Sequence, residues 1–245
     1  MREAPSKRAR RPLRQLRAWC AQHAYVLVFL SLIAVPAVNL IPVAMDSDIK
    51  SQWIFFIEVL FGFNLIHTYR RRLPRWLYWF AAACGLVGTL VSAVNLSSIP
   101  INIRYVMGGC FFCFFAVTGS VVFRRVIGYT VTNRETLFAA LSGYLLIGFI
   151  AFFLFSELEQ LLPGSFVMTS TGKPAGPNEL FYFAYVTILT IGYGDIAPVT
   201  WPARNATILM AILGYTYSLV FIARIVNDLG SPARRRQPAP PRENQ

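Results

Sequence analysis

Apolar residues fall in long blocks along this chain, separated by short polar or basic stretches. The blocks are too long for strands and too uniformly apolar for one-sided surface helices. Six have the size of membrane spans: residues 25–41, which are short and contain Pro36, then 52–69, 76–96, 105–123, 137–155 and 203–229. The last would be about 40 Å long as a helix and extends past a hydrocarbon core. Between the fifth and sixth blocks, residues 156–177 are polar and rich in Gly, Pro, Ser and Thr, the composition of an exposed outer turret. Asn178 then caps a short helix over about 180–189, with Glu179 in its first turn. That helix is about half as long as a bilayer is thick. The pattern predicts an all-α membrane protein: six transmembrane helices, with a re-entrant helix and loop between the fifth and sixth.

Composition agrees with a membrane setting. Of the 245 residues 56% are hydrophobic, more apolar surface than a soluble domain of this size carries. The net charge of +12 is not a nucleic-acid signal, because the basic residues sit in short flanks between apolar runs. Arg2, Lys7, Arg8, Arg10, Arg11, Arg14 and Arg17 precede the first block; Arg70, Arg71, Arg72 and Arg75 follow the second; Arg124, Arg125 and Arg134 follow the fourth; Arg234, Arg235, Arg236 and Arg242 lie in the tail. The opposite side has Lys50, Arg104, Lys173 and Arg204. Six spans with both termini cytoplasmic satisfy the positive-inside rule, in a multi-pass protein of the plasma or bacterial inner membrane. The basic flanks also suit anionic lipid headgroups. The long basic leader carries no clear cleavage site, and no cleaved signal is expected.

Four cysteines, Cys20, Cys84, Cys110 and Cys113, lie at or inside apolar segments and read as small hydrophobes instead of a disulfide framework. Cys110 and Cys113 have the spacing of a metal or redox pair, but phenylalanines surround them and no histidine is near. No cofactor and no catalysed chemistry are expected.

The stretch ending in Thr190-Ile191-Gly192-Tyr193-Gly194-Asp195 stands between two long apolar blocks. Only glycine takes positive φ without penalty. Gly192 and Gly194 therefore allow successive carbonyls to point one way while Ile191 and Tyr193 turn their side chains backward. Four such strands around an axis present rings of carbonyl oxygens, with the Thr190 hydroxyl as a further ring, and rings of that kind replace the water shell of a monovalent cation.

These six residues resemble the selectivity filter of the tetrameric potassium channels. The resemblance is strongest over residues 135–229 and architectural over the first four spans. It implies a homotetramer in a bilayer, conducting K+ through the carbonyls of Thr190, Ile191, Gly192, Tyr193 and Gly194 and the Thr190 hydroxyl. It also implies filter support from Asp195, Tyr182 and Phe183, with the Tyr182 hydroxyl in reach of Asp195. A glutamate that some family members place four residues before the filter threonine is Val186 here. Gly214, nineteen residues after Asp195, stands where the family has an inner-helix hinge, although a glycine kept for close helix packing fits the position nearly as well. Thr216, Ile222, Ala223 and Val226 are the pore-lining candidates of that helix. The implied organisation is a basic segment over 1–22, a four-helix sensor-like bundle over 23–128, a pore domain over 129–230 and a disordered tail over 231–245.

The voltage-gated branch of the family differs in one place. No arginine lies between Arg104 and Arg124 in the fourth span, so no ladder of gating charges exists there. Glu58, an acid inside the second span, lacks the arginine partners it would have in a sensor. Its role stays open between function and a protonated or hydrogen-bonded structural group. Three other functions stay open as well: a non-conducting regulatory or scaffold subunit, a less selective cation channel, and, far behind, a transporter.

Overall fold

A computed structural model describes residues 23–39, 59–60, 62–64, 66–67, 73–92, 101–128 and 134–230. The helices are α1 (Ala24–Asn39), α2 (Arg75–Ser92), α3 (Ile101–Gly128), α4 (Arg134–Leu161), the short α5 (Pro177–Ile188) and α6 (Trp201–Gly230). Two three-residue strands, β1 (Phe166–Met168) and β2 (Ile196–Pro198), flank α5 in sequence. Segments of α3, α4 and α6, at Val106–Arg124, Thr136–Leu161 and Trp201–Arg224, are long and apolar enough to cross a membrane; α1 and α2 are apolar and shorter. Most of the proposed second span, Glu58 included, lies outside the described residues. So do the basic segment 1–22, Cys20 and the tail 231–245.

α4 is the organising helix, and 61% of its apolar window is buried, as a helix apolar on all sides requires. On one side the Ser142 hydroxyl donates to the Tyr25 carbonyl of α1 (3.2 Å), and Phe29 meets Phe138 at 5.4 Å. On another, α3 interlocks with α4 through rings: Phe111 on Phe153 (5.4 Å), Phe115 on Phe149 (5.3 Å) and Phe115 on Phe153 (5.4 Å). Its remaining faces hold α5 and α6. α2 packs on the far side of α3, with Gly85 and Gly88 giving up their side-chain space to Phe114 and Phe111. Cys84, Cys110 and Cys113 are free thiols at that contact, as small apolar groups there.

Among its described side chains, α6 is buried along one stripe, at Ala203, Ala206, Gly214 and Tyr217. Leu209, Ile212, Tyr215, Leu219 and Ile222 are all at least half exposed on its other faces.

Two expectations need correction. The all-α expectation missed the ribbon: β1 and β2 pair antiparallel, Phe166 with Pro198, Val167 with Ala197 and Met168 with Ile196. The segment 156–177 is also not a uniformly exposed turret. α4 continues to Leu161, and Ser165 and Phe166 are fully buried. The cause is local. The Glu159 carboxylate accepts the Gly164 and Phe166 amides (2.7 and 2.8 Å), which turns the chain back so that Phe166 enters the core. A three-residue strand carries too little alternation to be read from sequence.

Candidate functional site

α5 begins at Gly176, in extended conformation, with Pro177 in the first turn. Proline suits that place, since its missing N–H is one the first turn leaves unpaired anyway. Asn178 therefore lies inside the helix and does not cap it, which corrects the sequence expectation; the preceding Gly-Pro pair took the boundary. Glu179 stands in the first turn as expected, next to the positive end of the helix dipole. At the other end the Leu189, Ile191 and Thr190 amides donate to the carbonyls of Tyr185 (2.9 Å), Val186 (2.9 Å) and Thr187 (3.1 Å). These bonds lead the chain from helix into the extended Thr190–Asp195 stretch.

The backbone of that stretch alternates. Thr190, Gly192 and Gly194 have φ of 56°, 64° and 77°, while Ile191 and Tyr193 between them do not take positive φ. Alternation of this kind is what a one-sided row of carbonyls requires, because each left-handed residue cancels the rotation imposed by its neighbour. Glycine does this freely at two of the three places. Thr190 does it against the preference of a β-branched residue, a strain of about 1–2 kcal/mol. The sequence signal for Thr190 was its hydroxyl, and its backbone went unforeseen.

The outer end of the stretch is tied to the ribbon. The Thr169 amide donates to the Asp195 carbonyl (2.9 Å), and its hydroxyl lies 3.0 Å from the Gly194 carbonyl and 3.1 Å from that of Asp195. The turret therefore engages the Gly194 oxygen, whereas no such tie involves the carbonyls named for Thr190 to Tyr193. Thr169 was missed in the sequence because its partner lies 25 residues on. The Tyr182 hydroxyl stands near enough to the Asp195 carboxylate to interact with it. Phe183 closes a buried ring cluster with Phe155 (5.5 Å) and Phe166 (5.6 Å).

Gly214 of α6 sits against the carbonyl end of α5: a Cβ there would stand 2.8 Å from Ile188 Cγ2. Its observed contact is thus close packing. Thr216, Ile222 and Ala223 are exposed on α6. The Val226 side chain and Glu58 lie outside the described residues. Ile191 and Tyr193 are 46% and 70% exposed, so within one chain the stretch presents itself to its surroundings. Among the described residues no group of His, Cys, Asp or Glu side chains is placed to hold a metal ion.

Comparison with known proteins agrees with this geometry. Residues 139–230 match a family model described as "Ion channel". The two pore potassium channel c of Oryza sativa subsp. japonica is 37% identical over 67 residues, 27% of this chain and 14% of that protein. The voltage-gated potassium channel KCNC3 of Homo sapiens is 28% identical over 136 residues, 53% of this chain and 18% of that protein. The voltage-gated potassium channel Kch of Escherichia coli (strain K12) is 30% identical over 120 residues, 48% of this chain and 26% of that protein. The chain thus spans 14–26% of the length of these relatives. No solved structure matches it. Over these stretches the chain is similar to an ion-channel domain and to potassium channels. Together with three helices long and apolar enough to cross a membrane, that similarity supports an integral membrane protein.

Proposed function

We propose that this chain assembles as a homotetramer that conducts K+ selectively across a membrane, with residues 129–230 as pore domain. The alternating backbone at Thr190, Gly192 and Gly194 carries this reading. Four copies place the carbonyls of Thr190, Ile191, Gly192 and Tyr193, with the Thr190 hydroxyl, around one axis. A dehydrated K+ passes between these rings and is driven on by the next ion. α5 is then the re-entrant pore helix, and its carbonyl end favours a cation in the cavity. α6 is the inner helix, and its exposed apolar faces are those that neighbouring copies and the cavity take up. Each chain crosses the bilayer six times with both termini in the cytoplasm, and the basic flanks meet anionic headgroups. The membrane is the plasma or bacterial inner membrane, and K+ is cargo with no resident cofactor.

Residues 23–128 form a sensor-like bundle that does not sense voltage. α3 lacks the arginines between Arg104 and Arg124, and its Phe111 and Phe115 stack on rings of α4, a contact that a sliding sensor helix would break.

Flux into vesicles tests the reading. Purified protein in liposomes loaded with K+ is expected to take up labelled Rb+ against external Na+, and to release no Na+ under the reverse gradient. Vesicles holding intact tetramers without Rb+ uptake would assign the chain to a non-conducting subunit. Equal uptake of both ions would assign it to a less selective cation channel.

A further inference from the structure

The last four carbonyls of any α-helix lack intrahelical partners unless a following residue supplies them. In α5 these are Tyr185, Val186, Thr187 and Ile188. Backbone amides of Leu189, Ile191 and Thr190 satisfy the first three. The fourth, Ile188, accepts the Tyr144 hydroxyl of α4 at 2.8 Å. Ile188 is two residues before Thr190, where the positive-φ alternation starts. We propose that Tyr144 is a positioning residue of the conducting strand: its hydroxyl fixes the carbonyl end of α5 against α4 and so sets where Thr190 stands.

Four further contacts make this a built joint. A second hydroxyl crosses the same interface in the opposite direction, Tyr185 donating to the Leu145 carbonyl at 3.0 Å. The Tyr185 ring fills the space left by Gly148, where a Cβ would stand 2.5 Å from it, so α4 and α5 meet there at glycine distance. The Tyr144 ring stacks on Tyr217 of α6 (6.2 Å, 26°), and Gly214 of α6 rests on Ile188 from the other side. The Ile188 end of α5 is thus gripped by both long helices, and Tyr144 is the part that makes a polar bond to it. Without the hydroxyl, the Ile188 carbonyl turns to cavity water, and the turn leading to Thr190 loses an anchor. The rings that exclude a smaller ion then slacken.

The proposal rests on the channel reading, and its test separates the two. Tyr144→Phe keeps the ring stack and removes the hydroxyl. Tyr217→Phe is the control, because it removes a bond of the same kind, from the Tyr217 hydroxyl to the Ala140 carbonyl (2.8 Å), that does not reach α5. Tetramer melting and the K+ to Na+ permeability ratio are measured on both in planar bilayers. Tyr144→Phe is expected to lower the ratio about fivefold, the equivalent of one net hydrogen bond, and Tyr217→Phe to leave it unchanged while also lowering the melting temperature. A tandem tetramer with one Tyr144→Phe copy among three native ones gives a smaller fall, and it serves if the full variant does not assemble. An unchanged ratio in Tyr144→Phe, or an equal fall in both variants, overturns the proposal while a selective wild type keeps the channel reading. A wild type that conducts K+ and Na+ alike overturns both.

Discussion

Gly192→Ala is expected to abolish K+ flux while the chain still assembles as a tetramer. A Cβ at Gly192 would meet nothing within 4 Å in its own chain, so crowding inside the chain is not the obstacle. The obstacle is φ of 64°, which an alanine holds at a cost of about 1–2 kcal/mol per copy and about four times that in a tetramer. Thr190 already bears this strain next to the helix that anchors it. Gly192 lies beyond those amide bonds and before the Thr169 tie. Alanine there relaxes toward negative φ and swings a peptide plane out of the row. Flux should fall below detection in the vesicle assay, with size-exclusion elution and melting within a few degrees of wild type. Unchanged flux would show that ions do not pass through this strand.

Phe115→Ala is expected to give the largest loss of stability. Phe115 is 1% exposed and lies against Phe149, Phe153 and Phe114, all with ring centroids within 5.4 Å. Truncating a ring so enclosed costs about 3–5 kcal/mol, because neighbours relax only partly into the cavity. Within a membrane the loss comes from packing and not from exposure to water, since lipid is as apolar as the ring. Thermal melting of the full chain in detergent should fall by many degrees. Voltage dependence should stay flat in whatever protein survives. A loss below about 1 kcal/mol, the range of a loosely packed site, would mean that α3 is not docked on α4 and that the bundle is free to move.

Much of this was legible in the sequence, and for one reason. Long apolar blocks mark helices by length alone, so α3, α4 and α6 were foreseen, the first two each nine residues shorter than observed and the last three shorter. Gly192 and Gly194 announced their backbone because glycine at that spacing has a steric meaning. What stayed hidden depends on contacts distant in sequence. Tyr144 is one aromatic residue among many in an apolar helix, and nothing around it tells that its hydroxyl meets Ile188 forty-four residues on. Thr169 and the ribbon share that property. Asn178 was misread for the opposite reason: a good capping residue stood two places inside a boundary already fixed by Gly176 and Pro177.

The central claim is that the Thr190–Tyr193 carbonyls select K+. Its most direct test is the reversal potential of the purified protein in a planar bilayer, with K+ on one side and Na+ on the other, scanned over voltage. The account predicts a reversal close to the K+ equilibrium potential and an open probability that does not change with voltage. A reversal near zero would contradict the selectivity, and a steep rise of opening with voltage would contradict a bundle that does not sense it.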